Sequence, residues 1–237
     1  MNILRDGLVF IAILVAMALM ANTANAQGRK FFPPFKIGNS CSFDQRVVLL
    51  EAHLNVNRTL DDAVVAVDYE RNSREYTTSF GIYDRKRHAI VRTRMNLIRQ
   101  GTYKVQITVK CETPGPSTTC NMDMNLSPLA YVTKQRGANK GKYIINVCPR
   151  FFNLTREVLR VMSSRWNSAA TAQGDVFLHE MTHFTWDDSM ERAKDKRYEN
   201  AAVERLAAKQ PNKAVNNADS YRIFMMKLAV RNRTVYR

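Results

Sequence analysis

Residues 179–183 read His-Glu-Met-Thr-His. On a helix, positions i and i+4 lie on one face about one turn apart. His179 and His183 can therefore aim two imidazole nitrogens at a single ion. Glu180 stands beside them, where it can take a proton from a water that the ion activates. This is the donor set of hydrolytic zinc centres, in which zinc lowers the pKa of water to about 7. Val176, Phe177, Leu178 and Phe184 flank the five residues. In such an apolar setting two histidines and a glutamate are costly unless something pairs them.

A zinc centre of this kind needs a third protein ligand. The chain holds 4 histidines. The other two, His53 and His88, lie far upstream on predicted amphipathic helices and read as surface or interfacial residues. No histidine follows His183, so a carboxylate must complete the set. The local candidates are Asp187, Asp188, Glu191, Asp195, Glu199, Glu204 and Asp219.

The elements that must position these groups can be read from pattern. Residues 42–56 carry apolar residues at helical spacing after a Ser/Asp start signal, and 61–68 are ambiguous between helix and strand. Residues 84–99 form an amphipathic helix capped by Asp84. Residues 103–110 alternate and are β-branched, which predicts a strand, and 129–133 and 143–147 read as short strands. Beyond Phe151 the pattern is helical over 154–163, 170–184, 198–208 and 219–230, with Pro211-Asn212 breaking the last two. Met225, Met226 and Phe224 read as core filler. The expectation is one α+β domain, mainly helical with a small β-sheet, and its metal-binding helix in the second half.

The first 26 residues stand apart. Leu8–Met20 is an apolar run of 13 residues, too short for a comfortable membrane span. Ala24-Asn25-Ala26 supplies small residues for cleavage, so this is read as a secretory signal peptide leaving Gln27 as the mature N-terminus. Residues 27–40, with Pro33, Pro34 and Gly38, read as an irregular lead-in to a domain over 41–237. A secreted monomer with no membrane anchor after cleavage is expected. The four cysteines, Cys41, Cys111, Cys120 and Cys148, are an even count in an exported chain and argue for two disulfides. The formal net charge of +15 favours non-specific contact with anionic surfaces. No aromatic-interleaved basic motif points to specific nucleic-acid binding.

Several segments together resemble the aspzincin metalloendopeptidases. H-E-x-x-H is followed by Asp195-Lys196-Arg197-Tyr198, similar to the D-x-x-Y of that family's G-T-x-D-x-x-Y-G motif. Asn217-Ala218-Asp219-Ser220-Tyr221 is similar to its N-A-D-x-[YH] segment. Cys41-Ser42-Phe43-Asp44-Gln45, Tyr76–Gly81, Ala130-Tyr131-Val132 and Val147–Phe152 resemble further family segments, so the likeness spans nearly all of the chain beyond Cys41. It implies a zincin-like metallopeptidase domain with one zinc ion per chain on His179, His183 and Asp195. It further implies Glu180 as general base, Tyr198 as a stabiliser of the transition state, and Asp219 in the S1′ pocket facing a Lys or Arg of a protein or peptide substrate. The cysteine pairing it implies is Cys41–Cys111 and Cys120–Cys148. The chain departs from the motif at Arg192-Ala193, where the family has Gly-Thr, and at Glu199, where it has Gly. A gluzincin-like ligand, Glu199 or Glu204, stays open on the residues alone. So does a reading as a secreted binding or effector protein on the same scaffold without peptidase activity.

Overall fold

The computed structural model describes residues 35–104, 107–115, 118–120, 127–134, 143–154, 169–184 and 193–235. Contacts divide the chain into Met1–Pro33 and Pro34–Arg237, and every described residue lies in the second unit. The expected signal peptide, most of the helix expected at 154–163 and residues 185–192 lie outside the described residues.

Helix α1 runs from Phe43 to Tyr69. Its start is a capping box: Ser42 Oγ accepts from the Gln45 N–H, and Gln45 Oε1 accepts from the Ser42 N–H at 2.8 Å. Reciprocal capping satisfies donors that the first turn would leave orphaned. The segment 61–68 resolves as helix and continues α1, because Leu60, Ala63, Val64 and Val67 extend the buried stripe begun by Leu49 and Val56. Two short turns lead through α2 (Arg74–Phe80) into α3 (Arg85–Lys104). As expected, Asp84 caps α3, its Oδ1 accepting from the Arg87 N–H at 2.9 Å.

The sheet has four strands: β1 (Lys36–Ile37), β2 (Ile107–Cys111), β3 (Ala130–Lys134) and β4 (Tyr143–Val147). Their order is β1-β2-β4-β3, with β3 antiparallel at the edge and the other pairs parallel. Two expectations shift. The strand expected at 103–110 begins only at Ile107, because α3 carries its helix through Lys104. The lead-in is not wholly irregular, since Lys36 and Ile37 pair with Thr108 and Val109.

Helix α4 (Ala169–Thr182) carries the histidine motif. It packs along α1 and also against the C-terminal helix. Phe177, Leu178 and Met181 point into the core with Val56, Leu49 and Phe224. Burying a side chain of this size contributes about 2–3 kcal/mol. Helices α5 (Asn200–Lys209), α6 (Pro211–Ala214) and α7 (Ala218–Val235) complete the unit. Pro211 breaks α5 as expected and starts the short turn of α6, where its missing N–H costs nothing. Phe224 and Met225 are core residues.

The disulfides are Cys41–Cys111 and Cys120–Cys148. The first ties the entry of α1 to the end of β2. The second ties the 118–120 segment to the residue after β4. No described helix is long and apolar enough to cross a membrane.

Candidate metal centre

His179 and His183 project from the C-terminal turn of α4. The Nδ1 atom of His179 faces a carboxylate, Asp219 Oδ1, at 2.8 Å, so it must donate. Nδ1 of His183 faces the Ala193 carbonyl at 2.9 Å and must donate as well. These bonds fix the tautomers: in the neutral rings both lone pairs sit on Nε2. The two Nε2 atoms are 3.2 Å apart. Asp195 Oδ1 lies 3.2 Å from each.

Three acceptor atoms thus form an equilateral triangle, an arrangement that repels itself unless a cation stands among them. Its size fits zinc. Bonds of about 2.0 Å to nitrogen and oxygen in a tetrahedral site put neighbouring ligand atoms about 3.3 Å apart. Among the described residues this is the one group of three metal-binding side chains. Electrostatics say the same. Burial works to lower the pKa of His179, but hydrogen bonds to Asp195 and Asp219 outweigh it and lift the value to about 9. Burial opposes the charge on Asp195, yet the two histidines hold its carboxyl far below the usual range. Positive charge is favoured at this point, and a proton or a metal ion would supply it.

Asp195 reaches the triangle from a loop that two elements hold. The Lys194 N–H donates to Asn216 O, and the Lys194 carbonyl accepts from the Ala218 N–H, both at 3.0 Å. Asn217, fully buried, then caps the following turn. Its Oδ1 accepts from the N–H groups of Lys196 and Arg197 at 2.9 and 3.0 Å, and its Nδ2 donates to the Arg197 carbonyl. Arg94 on α3 braces the other side through the Val215 carbonyl and the Asn216 side chain. Sequence reading passed over Asn217 and Arg94. The asparagine belongs to the N-A-D-S-Y segment, where only the aspartate was read as functional.

Glu180 is buried beside the triangle, and loss of solvent raises its pKa, against the pull of both histidines. The ring of Tyr198 stacks on that of His179 with centroids 5.9 Å apart, and half of the residue remains exposed. Burial, then the charge on Asp195, raises its pKa, so the hydroxyl keeps its proton.

Asp219 is among the residues that line the cleft beside the triangle. It is buried, and Arg222 clasps it: Nε donates to Oδ1 at 2.8 Å and Nη2 to Oδ2 at 2.9 Å. Oδ2 also accepts from the Glu199 N–H at 3.2 Å. Of the other ligand candidates, Glu204 pairs with Lys227, and Glu199 meets the site through its backbone. Asp187, Asp188 and Glu191 lie outside the described residues. His53 on α1 is interfacial, buried against Phe35, and His88 bonds the Val67 carbonyl. Neither approaches the triangle.

The site opens into a cleft of about 1020 Å³, walled by β3 on one side and by α4 and α7 on the other. A helix bearing H-E-x-x-H beside a small mixed sheet, with a later loop returning a carboxylate to it, defines the zincin class of metallopeptidase folds. The model of the aspzincin M35 family, described as lysine-specific metallo-endopeptidase, matches residues 66–226. The chain belongs to this family of metalloendopeptidases. A solved zinc peptidase from Grifola frondosa superposes with a TM-score of 0.58, covering 79% of this chain and 97% of that one. At 23% identity that likeness is one of fold. No curated protein sequence gives a significant match.

Proposed function

We propose that the protein is an exported, zinc-dependent endopeptidase that acts as a monomer on protein or peptide substrates. The single observation that carries this is the 3.2 Å triangle of His179 Nε2, His183 Nε2 and Asp195 Oδ1. These three residues would hold one zinc ion per chain. When bound, zinc acidifies water and polarises a carbonyl oxygen.

The remaining steps belong to the chain's own groups. Glu180, one residue from a ligand and shielded from solvent, takes the proton of the attacking water and returns it to the leaving amine. Its raised pKa suits both transfers. Tyr198, protonated and at the rim, donates a hydrogen bond to the oxygen on which negative charge develops, a contribution on the order of 3 kcal/mol. Asp219 and the Ala193 carbonyl keep both histidines in one tautomer. The disulfides and the apolar leader of the chain support export. The resemblance implies Lys or Arg after the scissile bond through Asp219, and this preference depends on whether that carboxylate is available to substrate.

The test is Glu180→Gln. It should retain one zinc per chain by elemental analysis and lose chelator-sensitive cleavage of an unfolded protein by a factor of at least a thousand. Full activity in that variant would remove Glu180 from the mechanism.

A further inference from the structure

An ionised carboxylate offers about four acceptor positions. Asp219 uses all of them within the protein. Oδ1 accepts from His179 Nδ1 and Arg222 Nε, and Oδ2 accepts from Arg222 Nη2 and the Glu199 N–H. Its side chain is only 3% exposed, whereas that of Arg222 is 21% exposed. Both residues line the cleft, and Arg222 has the larger exposed share of the pair. Val176 on α4 and Met226 on α7 line the cleft with it, as does Leu154, and Arg222 Nη1 lies 3.1 Å from the Met226 sulfur. Two further acids of α4, Asp175 and Glu180, line the cleft, and Asp175 also acts on Arg222 through its charge.

We propose that Arg222 is a specificity-determining residue. By holding the charge of Asp219 inside the protein, it gives the α4–α7 wall of the cleft an uncharged, apolar preference next to the scissile bond, so that Lys and Arg are not selected there. The proposal rests on the peptidase reading above and on the residue after the scissile bond seating against Asp219. An incoming ammonium would have to displace a bidentate arginine from a buried acid, and breaking such a pair is strongly unfavourable. It would also meet the guanidinium as a like charge.

The experiment compares two quenched fluorescent peptides that differ only in Lys or Leu after the cleaved bond. The ratio of their kcat/KM values is independent of how much of a preparation is folded. For the zinc-loaded wild type the Leu peptide should be preferred. Arg222→Met frees Asp219, and the ratio should move at least tenfold toward Lys. Arg222→Lys restores a cation beside Asp219 and should return the ratio toward wild type. Fluorescence anisotropy of the same peptides on metal-free protein should show affinities shifting in the same direction. A wild type that prefers Lys tenfold overturns the proposal. So does an Arg222→Met variant that cuts with an unchanged ratio. If the zinc-loaded wild type cuts neither peptide nor an unfolded protein, the peptidase reading falls, and this proposal with it.

Discussion

Asp219 Oδ1 sits 2.8 Å from Nδ1 of His179, which makes a residue 40 positions downstream the orienting partner of the first candidate zinc ligand. Burial alone would raise the pKa of this carboxyl, but Arg222 and His179 hold it well below the usual range. It is thus a fixed negative charge behind the imidazole. Such a partner sets the ring's orientation and raises its basicity as a ligand. Asp219→Asn keeps the shape and removes the charge. It should weaken zinc binding by about 10–100-fold, measured by competition with a chelator of known affinity. Unchanged affinity would show that the contact is incidental.

Glu199 is the one described non-glycine residue with positive φ, at φ 66 and ψ 151. This conformation is nearly exclusive to glycine and stores about 1–3 kcal/mol in other residues. The strain persists because the Glu199 N–H is fixed on Asp219 Oδ2 and its carbonyl begins α5. A side chain at this position therefore adds strain to the loop. Glu199→Gly should be more stable than Glu199→Ala by about 1 kcal/mol. Both variants lose the same side-chain polar groups, so their difference in urea unfolding isolates the backbone. Equal stabilities would mean that the loop relaxes.

The legible and illegible parts of this site differ in kind. His179, Glu180 and His183 lie within one helical turn, where sequence spacing is spatial spacing. Asp195 could be singled out only through D-x-x-Y, since nothing in its own neighbourhood distinguishes it from Asp187 or Glu204. Arg222 was passed over, although an i, i+3 pair with Asp219 can be counted along the sequence of α7. The meaning of the pair is not legible there, because that depends on which face of α7 meets α4. Segment 61–68 was undecidable for a similar reason: its apolar residues fit either period until α4 and α7 supply a surface to cover. The start of the strand expected at 103–110 failed because its alternation resembled a strand while α3 runs on through Lys104.

Gly81 ends α2 at φ 88. A Cβ placed there would stand 2.8 Å from the Ala207 carbonyl oxygen and 2.8 Å from Pro211 Cβ, at the junction of α5 and α6. Both neighbours are backbone or ring atoms with nowhere to move. Gly81→Ala should cost about 2 kcal/mol or more, combining overpacking with an unfavourable φ. Thermal unfolding with metal bound would measure it. A loss under half of that figure would indicate that α2 and α5 can part without penalty.

His53 gives the fold a dependence on pH that is separate from the metal centre. Its ring packs 4.1 Å from that of Phe35, its Nε2 bonds Asn57 Nδ2 at 3.2 Å, and its Nδ1 is buried without a partner among the described residues. Burial lowers its pKa from 6.5 to about 4. The unfolded chain therefore takes up the proton first as the solution is acidified. The contribution of neutral His53 is intact above pH 6.5 and is lost progressively down to pH 4. At 1.36 kcal/mol per pH unit the whole loss approaches about 3 kcal/mol. His53→Phe fills the same apolar site without a titrating group. Its unfolding free energy should fall less between pH 7 and pH 4.5 than that of the wild type, by about 2 kcal/mol or more. Parallel pH profiles for the two proteins would show that the imidazole reaches solvent when it takes up its proton.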